Sequence, residues 1–537
     1  MSYTVEGRPI GLAGDRIVSP TQAICLGVVS LYLFSFITRH FIVRASSNPK
    51  GLPFPPGPTG VPFFGNSLQL PRSKLWVKFF EWTIYGDIVG ISLMGKKAVV
   101  LNTYETASQL LNRRGAIYSS RPVRILTTKY GGQAGTVSTS PYNESVVLQR
   151  KLMNQFFGPG PVKSYNGLLT KHARLFASWT LENPSQFQFY TRLAGTANII
   201  DLMFGEEVTP QKRIWLDRLD DIMRGLAASP PPGTHPVDIF PSLSVFPGWF
   251  WGAKLNKAMA EMKSAFMKVN DGPFQRVKQD VVAGVAVPSM VSSMIREYMG
   301  ADGLVTHEKD ISGITGAALM AGADTTAATV DTFILAMALH PESQKKAQQE
   351  IDDFLHGERL PVMEDIDSLC YLQAIIKETT RWKPVAPLAL THSLTQDDEY
   401  NGMFLPVGTM VYPNIWSMAY NSQEYPNSTK FEPGRFIEEH DGHARLRKNV
   451  LDPTEFIFGF GRRICPGRHF AVKSVGITLA TILTIFDISL PKDKDGLPII
   501  PDLDYESGIV SHPKPFQCIF TPRSENLSKL LLHNLPE

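Results

Sequence analysis

The sequence predicts a mainly α-helical protein with a minor β-sheet region, preceded by one N-terminal transmembrane helix. Three stretches carry this prediction: an apolar run near the N-terminus, a pair of short β-rich runs, and a long apolar stretch in the second half. The chain has 537 residues. Since a typical single core takes roughly 100–200 residues, we expect one very large unit or several lobes.

The apolar run AICLGVVSLYLFSFITRHFIV covers residues 23–43, and about 20 apolar residues span a bilayer as a helix. Arg39 and His40 interrupt it only near its end, where an arginine can reach the interface. Arg44 and Lys50 follow, so the positive-inside rule predicts that the bulk of the chain is cytosolic. A cleaved signal peptide is the weaker alternative, because no small-residue cleavage site follows the run.

A basic and proline-rich linker over residues 44–66 follows the predicted anchor. Four of the six residues from Pro53 to Pro58 are prolines, which cannot continue a helix and favour stiff, extended backbone. The predicted organisation is therefore a short N-terminal segment, an anchor, this linker and one domain, over residues 1–22, 23–43, 44–66 and 67–537.

Within the domain, two β-rich runs flank the turn residue Gly95, and helical patterns dominate from Thr103 onward. One helix is predicted to start at Pro341 and to stop at Gly357. The stretch Gly313–His340 lacks proline and is apolar nearly all round, which predicts a buried helix of roughly 40 Å. A second buried helix is predicted over VKSVGITLATILTIFDI, residues 472–488.

Composition excludes several classes of protein. The hydrophobic share of 43%, the charged share of 19% and the net charge of +3 are those of an ordinary globular protein, so we predict no nucleic-acid partner. The four cysteines are scattered without a CxxC pair, which argues against a zinc site or a disulfide framework and favours a reducing compartment. They are Cys25, Cys370, Cys465 and Cys518.

Cys465 stands in FGFGRRICPGRHF, residues 458–470, just ahead of a predicted helix whose N-terminus favours a negative sulfur. Glycines in this loop let the backbone approach a flat object closely, and three arginines (Arg462, Arg463, Arg468) add positive charge. A cysteine protease would need a signature that is absent here. A flat cofactor with an anionic sulfur as axial ligand fits better, and haem iron bound by a cysteine thiolate is the known solution.

The loop resembles the haem-binding loop of the cytochrome P-450 family, whose pattern is FxxGxRxCxG. Phe458, Gly461, Arg463, Cys465 and Gly467 all match. The resemblance covers the chain from PPGP to its end and is closest to fungal members of secondary metabolism. It implies the P-450 fold, haem as the cofactor, these five residues as haem-binding residues, and Cys465 as the axial ligand of the iron.

Two charged motifs support the resemblance. KETTR places Glu378 and Arg381 on one helix face, which alone would be a common surface ion pair, and FEPGRF supplies Arg435. The resemblance implies that the three form a buried triad that braces the haem loop, and such a triad requires that every charge be partnered.

AGADTT, residues 321–326, lies in the middle of the long apolar helix. Gly322 weakens a helix and Thr325 can bond back to a carbonyl one turn earlier, so together they can open a groove. A kink with a satisfied acid and alcohol is the plain alternative. The resemblance implies that Asp324 relays protons and that Thr325 steers them to bound dioxygen. Family members that rearrange peroxides tend to lack this pair.

The resemblance also implies contacts from Arg150 and His392 to the haem propionates. Arg150 ends VVLQR, where the family has WxxxR, so Val146 replaces the tryptophan and one propionate is expected to be held less firmly. A proline is common at the position of Thr391.

By resemblance, the protein is a haem-thiolate monooxygenase of the endoplasmic reticulum membrane, single-pass, with a cytosolic catalytic domain. NADPH electrons arrive through a separate NADPH–cytochrome P-450 reductase, and one atom of dioxygen enters an apolar small molecule. The basic run HARLRKN, residues 443–449, is either part of a docking patch for that reductase or an ordinary solvated loop.

By resemblance, five stretches of the chain determine the choice of substrate. The pocket residues that can be named in them are mostly small and apolar (Ala386, Leu388, Gly508, Val510), which favours a terpenoid-like substrate. An aromatic amine or a polyketide is the alternative substrate, and an isomerase that uses no reductase is the alternative reaction. A non-catalytic haem binder is least favoured. The aromatic run SVFPGWFWGAK is a lid, a channel, a membrane surface or core. The five stretches are Arg121–Ser140, Ser229–Trp251, Gly316–Met320, Ala386–Leu390 and Gly508–Val510.

Overall fold

Helices make up most of the molecule, which a computed structural model describes over residues 48–441 and 443–535. The predicted segments 1–22 and 23–43 lie outside the described residues. Within the described ranges, no helix is both long and apolar enough to cross a membrane. The mainly helical prediction is confirmed.

The helices α1 to α17 follow one another in chain order. Their bounds are Leu75–Glu81, Tyr104–Ala107, Gly115–Tyr118, Glu144–Phe157, Asn166–Glu182, Phe187–Phe204, Ile214–Ala228, Pro236–Ile239, Ala253–Val282, Met290–Tyr298, Glu308–Leu339, Pro341–Leu355, Cys370–Trp382, Ile415–Ala419, Thr454–Ile457, Arg468–Ile485 and Glu525–His533.

The strands β1 to β10 are short and belong to small sheets. β1 and β2 are antiparallel, β2 is parallel to β6, and β3 closes the four-stranded order β1-β2-β6-β3, whereas β4–β5, β7–β8 and β9–β10 are antiparallel pairs. Their bounds are Ile88–Leu93, Lys96–Leu101, His392–Ser393, Asp398–Tyr400, Met403–Leu405, Met410–Pro413, Ile437–His440, His443–Leu446, Phe486–Ser489 and Ile519–Pro522.

The described chain divides into two compact units. The smaller consists of residues 48–54 and 397–406. In it the β4–β5 hairpin turns at Asn401 and Gly402, both with positive φ, and the Phe404 N–H donates to the Pro53 carbonyl (2.8 Å). The larger unit holds residues 55–396 and 407 onward. It contains every predicted site residue.

Part of the predicted linker belongs to the larger unit. The Gly90 N–H of β1 donates to the carbonyl of Pro56 (2.8 Å). Gly57 lies so close to β1 that an added Cβ would stand 1.9 Å from the Gly90 oxygen. The chain at Pro56 and Gly57 is therefore packed against β1. Residue 57 has to be glycine, because any side chain would clash with the Gly90 carbonyl.

Sequence patterning located the main elements well. The β1–β2 hairpin turns through Met94 and Gly95, and α12 begins at Pro341 as predicted. α12 ends at Leu355, two residues before Gly357, because His356 already adopts a left-handed backbone (φ 54). α16 runs over Arg468–Ile485, so its start is earlier than predicted. The last three residues of the predicted helix, Phe-Asp-Ile, belong instead to β9.

α11 is the central helix of the larger unit, and it is buried along most of its length. α6 and α16 both pack against it. The approach of α6 is close at Gly195, where an added Cβ would stand 2.6 Å from the carbonyl oxygen of Ala323. This contact lies next to the AGADTT segment.

Candidate active site

The loop around Cys465 folds back on itself through backbone hydrogen bonds. The Cys465 N–H donates to the carbonyl of Phe458 (2.8 Å). Gly461 has a positive φ of 54°, and an added Cβ there would stand 2.1 Å from the Leu111 carbonyl oxygen. The motif glycine is thus required by a close approach of two backbones.

The sulfur of Cys465 lies just before the first turn of α16, within reach of positive groups. Burial raises the pKa of the thiol, while a hydrogen bond from the Gly467 N–H and the charges of Arg150 and Arg468 oppose that rise. The net effect is upward, so without a bound cation the thiol is protonated at neutral pH. A metal cation reverses this, because a coordinating thiol is deprotonated.

Two buried arginines belong to the same part of the molecule. Arg463 donates to the carbonyls of Ser119, Val137 and Ser140, each at 2.7 Å. Arg121 donates from Nη1 to the carbonyls of Leu390 (2.6 Å) and Thr391 (3.0 Å).

Their positive charges act on each other. Burial lowers the pKa of Arg121 first, and the charges of Arg463 and Arg150 lower it further. Among the described residues, backbone carbonyls are the hydrogen-bond partners of Arg121 and Arg463.

Arg150 and His392 complete this basic cluster. Arg150, on α4, donates from Nη2 to the Ile464 carbonyl (2.8 Å), next to Cys465. His392, on β3, donates from Nδ1 to the Tyr118 carbonyl (2.8 Å), which fixes its tautomer. Burial and the charge of Arg121 lower the pKa of His392 well below its ordinary value. The ring is therefore neutral at pH 7.

The residues present fit a haem with its propionates. The donor set is one thiol in a glycine loop, surrounded by buried and half-buried basic groups whose local partners are carbonyls rather than carboxylates. Such a cluster lacks anionic partners, and two carboxylates of a bound group would supply them. The loop also approaches neighbouring backbone where a side chain would clash, as Gly461 shows.

The triad predicted from KETTR and FEPGRF is present and buried. Arg381 donates from Nε and Nη2 to the two Glu378 oxygens (2.7 and 2.8 Å), and Arg435 donates from Nε to Oε1 (3.2 Å). The Glu432 N–H also donates to Glu378 (2.7 Å). The remaining Arg381 donors bind carbonyls of Ala419, Ser428 and Lys430. Every charge is thus partnered, which a buried triad requires.

On α11, Asp324 and Thr325 have different neighbours. The Thr325 hydroxyl donates to the Ala321 carbonyl (2.6 Å), which is the predicted back-bond. Asp324 Oδ2 lies 3.1 Å from Nε2 of His512, and both side chains are largely buried. α11 is continuous from Glu308 to Leu339, so the back-bonds are accommodated without a break in the helix.

The structure differs from the sequence interpretation at two places. Arg150 and Arg468, rather than Arg462 and Arg463, act on the sulfur. Arg462 and Arg463 each lie over the ring of Tyr142 (5.5 Å) instead. Phe246, Trp249 and Phe250 are 41%, 69% and 53% exposed, so the core alternative for these three is wrong.

Two residues of the site carry no signal in the sequence. Arg121 appears only as the start of a variable stretch, and its carbonyl partners lie on a segment that is distant along the chain. His512 joins Asp324 from near the C-terminus. Neither motif spacing nor periodicity indicates such long-range pairs.

The Cys465 loop and the basic cluster beside it are the binding residues expected of a haem-thiolate protein. A model of the cytochrome P450 family matches residues 55–520. The chain therefore belongs to the cytochrome P450 family. Its curated relatives are monooxygenases, and so is this protein.

Three fungal relatives illustrate the similarity. Cytochrome P450 monooxygenase claR of Ampulloclitocybe clavipes is 35% identical over 526 residues, covering 97% of this chain and 94% of the relative. Cytochrome P450 monooxygenase COX1 of Coprinopsis cinerea is 32% identical over 522 residues, covering 96% and 100%. Cytochrome P450 monooxygenase 176 of Postia placenta is 35% identical over 521 residues, covering 94% and 96%.

Proposed function

We propose that this monooxygenase hydroxylates an apolar, terpenoid-like small molecule in fungal secondary metabolism. The observation that carries the proposal is the acid–alcohol pair Asp324 and Thr325 on α11, in the same compact unit as the Cys465 loop. An isomerase has no need of proton delivery, whereas the reduction of dioxygen consumes protons. The pair therefore favours insertion of oxygen over rearrangement.

Haem, when bound, supplies the iron at which dioxygen is reduced and split. Cys465 would hold the iron through its sulfur, and the Gly467 N–H would tune the electron donation of that sulfur. Arg150, Arg463 and His392 would bind the propionates, and Arg121 would add a fourth basic group.

Phe458 and Gly461 would shape the loop that carries the sulfur, through the hydrogen bond from Cys465 and the close approach to Leu111. The triad of Glu378, Arg381 and Arg435 would act at a distance. It fixes the segment from Ala419 to Arg435, which leads into the loop.

Asp324 and Thr325 would move protons between solvent and the reacting oxygen. The Thr325 hydroxyl donates to Ala321, and its oxygen keeps free acceptor capacity. Asp324 lines a small cavity together with Arg192 and Asp220, whose side chains are about a third exposed (36% and 32%). Protons can therefore enter from that side.

The preference for an apolar substrate is supported by the small and apolar residues of the candidate recognition stretches, such as Gly316 and Ala317 on α11. We propose further that electrons come from NADPH through a separate reductase. The run 443–449 offers a docking patch, although Arg445 already pairs with Glu438 (2.7 Å). An endoplasmic reticulum anchor at residues 23–43, with the domain in the cytosol, completes the proposal.

Turnover with isotopically heavy dioxygen tests this function. Full-length protein would be combined with a fungal reductase and NADPH, and offered terpenoid scaffolds, aromatic amines and polyketides, with products read by mass spectrometry. We expect one heavy oxygen atom in a terpenoid product.

Heavy oxygen in aromatic or polyketide products alone would overturn the substrate class and keep the reaction. A rearranged product without heavy oxygen, formed in the absence of reductase, would overturn the monooxygenase mechanism in favour of the isomerase.

A further inference from the structure

Asp324 has a buried histidine as its partner. His512 Nε2 lies 3.1 Å from Asp324 Oδ2, and the two side chains are 18% and 14% exposed. His512 belongs to a turn in which the Glu506 N–H donates to the His512 carbonyl (2.8 Å) and the Ser511 N–H donates to Val385 (2.8 Å). The backbone therefore fixes the imidazole at α11.

A second acid of α11 faces the same histidine. Asp331 is buried, and its Oδ1 accepts from the Thr191 hydroxyl of α6 (2.8 Å). Tyr505, in the segment before His512, donates to Thr332 (3.2 Å), the neighbour of Asp331. The C-terminal segment thus meets α11 at two successive places.

The charged groups around His512 are mostly acidic. Asp324 and Asp331 face it from α11, and Glu506 faces it from its own segment. The charges of Arg192, on α6, and of Asp324 act on the carboxylate of Asp331. Tyr505 and Cys518 also lie within electrostatic range of Asp331.

These surroundings favour a charged imidazole. Burial opposes the charge, but the hydrogen bond and charge of Asp324, followed by the charges of Asp331 and Glu506, raise the pKa of His512 above 6.5. Burial raises the pKa of Asp331 to about 7. While the imidazole is protonated, the Asp324–His512 contact is a charge-assisted hydrogen bond, which is stronger than a neutral one.

We propose that His512 is a positioning residue for proton delivery: its imidazolium holds the Asp324 carboxylate between the solvent-side cavity and Thr325, and its titration sets the upper pH limit of dioxygen reduction. The proposal rests on the proposed function of Asp324. It adds to the acid–alcohol pair a third group, which comes from the C-terminal segment.

The cavity beside Asp324 supports this role. It is small, about 10 Å³, which is close to the room that one water molecule needs. Arg192 and Asp220, which form an ion pair, stand at its solvent side, and Ala323 and Met320 line its inner part. A carboxylate without a fixed partner would turn toward this cavity and the Arg192 charge, so His512 determines where the carboxylate stays.

The test is the pH profile of NADPH oxidation with dioxygen as the acceptor, measured on full-length haem protein with reductase in excess. We expect wild-type rates to fall as pH rises past the titration of His512. His512→Gln and His512→Ala should be roughly tenfold slower and lack that fall. His512→Lys keeps a cation, so it should recover most of the rate and move the fall to higher pH.

A second readout is independent of turnover. Histidine labelled with ¹³C gives an NMR titration in the carbon monoxide complex of the ferrous protein, and the His512 signal is the one missing in His512→Gln. We expect its midpoint to lie above 6.5 and to move down in Asp324→Asn and in Asp331→Asn. A midpoint that stays in place in Asp324→Asn would overturn the pairing.

Asp324→Asn separates the two hypotheses. If it slows NADPH oxidation while both His512→Gln and His512→Ala keep the wild-type rate and pH profile, the role of His512 is refuted and that of Asp324 stands. If Asp324→Asn itself keeps the wild-type rate, the proposed role of Asp324 in proton delivery is refuted, and the role of His512 that rests on it is refuted as well. The carbon monoxide spectrum and the melting temperature show that each variant is folded, and His512→Gln serves where His512→Ala does not fold.

Discussion

At the scale of single residues, the half-buried Cys465 thiol is suited to lose its proton when a metal cation binds the sulfur. Burial raises the pKa of the thiol, whereas Arg150, Arg468 and the Gly467 N–H favour a negative sulfur. A cation at the sulfur therefore turns these three neighbours into partners of a thiolate. A free nucleophile would instead need a lowered pKa.

We predict that Cys465→Ala abolishes the carbon monoxide spectrum that thiolate ligation produces, because no other group supplies a sulfur at this loop. Cys518→Ala is the matched control, since Cys518 is also a free thiol whose pKa burial raises, to about 12. The control should keep the spectrum. Retention of that spectrum in Cys465→Ala would refute the ligand assignment.

Thr325 and Thr326 form a natural pair for a test of proton steering. Both hydroxyls donate to the carbonyl four residues earlier, at 2.6 and 3.0 Å. Thr326 is buried, whereas Thr325 keeps an accessible face. We predict that Thr325→Ala releases several times more peroxide per NADPH and that Thr326→Ala does not, because each loses the same back-bond but only Thr325 is proposed to steer protons.

Peroxide and NADPH are measured together in the reconstituted system. Equal peroxide release from the two variants would show that loss of the back-bond, and not proton steering, causes the effect.

The sequence predicted the residues that stand in short motifs, and it missed those defined by tertiary contacts. Cys465, Glu378 and Arg435 stand in contiguous patterns whose chemistry or family resemblance is readable. Arg121 and His512 acquire their meaning from carbonyls and a carboxylate that chain folding brings to them. A single sequence contains no spacing rule for such contacts.

At the scale of elements, the triad links α13 to the segment that precedes the cysteine loop. Glu378 and Arg381 are fully buried, so removal of one charge leaves the others without a partner. We predict that Glu378→Gln destabilises the protein by about 3–5 kcal/mol and lowers haem retention. Thermal unfolding and the haem absorbance per protein measure both effects.

Glu438→Gln is the control, since Glu438 pairs with Arg445 at 2.7 Å on the exposed β7–β8 hairpin. Exposed pairs contribute about 0–1 kcal/mol, so this variant should melt close to the wild type. Similar losses in the two variants would show that the burial of the triad has no special importance.

The contact of α6 with α11 depends on a glycine. An added Cβ at Gly195 would stand 2.6 Å from the Ala323 oxygen, so the helices would have to separate. We predict that Gly195→Ala costs about 1–3 kcal/mol. Gly167→Ala on α5, where an added Cβ meets nothing within 4 Å, should instead be neutral or stabilising by up to about 1 kcal/mol.

Chemical denaturation of both variants measures these changes. A neutral Gly195→Ala would mean that the two helices tolerate a wider separation than the structure shows.

Element prediction succeeded where periodicity or turn residues were strong and failed at junctions. The β1–β2 turn and the start of α12 follow from Gly95 and Pro341. The predicted end of α16 was wrong because the helix passes directly into β9. Ile485 ends the helix, Phe486 begins the strand, and neither a polar residue nor a proline marks the junction. Hydrophobicity alone does not separate two buried elements.

At the scale of the whole molecule, we expect that the larger unit can be separated from the proposed anchor without loss of its fold. The family match begins at residue 55, and the larger unit begins at Pro55. We predict that a chain starting at residue 48 binds haem with the thiolate carbon monoxide spectrum and is released largely to the soluble fraction. Membrane fractionation and the spectrum measure the two properties.

If the shorter chain stays on membranes, the domain itself binds the membrane. Phe246, Trp249 and Phe250 are exposed on it and are the candidate contact residues. The triple replacement of these aromatic residues by serine then decides between the two surfaces. A full-length protein found in the soluble fraction would refute the membrane proposal altogether.

The segment from residue 512 to residue 520 packs against the core as well as against the candidate site. Phe516 and Phe520 pack their rings on Phe187 of α6 (5.3 and 5.2 Å), a short distance along the chain from His512. Synthesis runs from the N-terminus, so α6 leaves the ribosome long before residues 516–520 are made. The interior beside α6 is therefore completed late in synthesis, and haem can enter the finished fold only after this segment has been made.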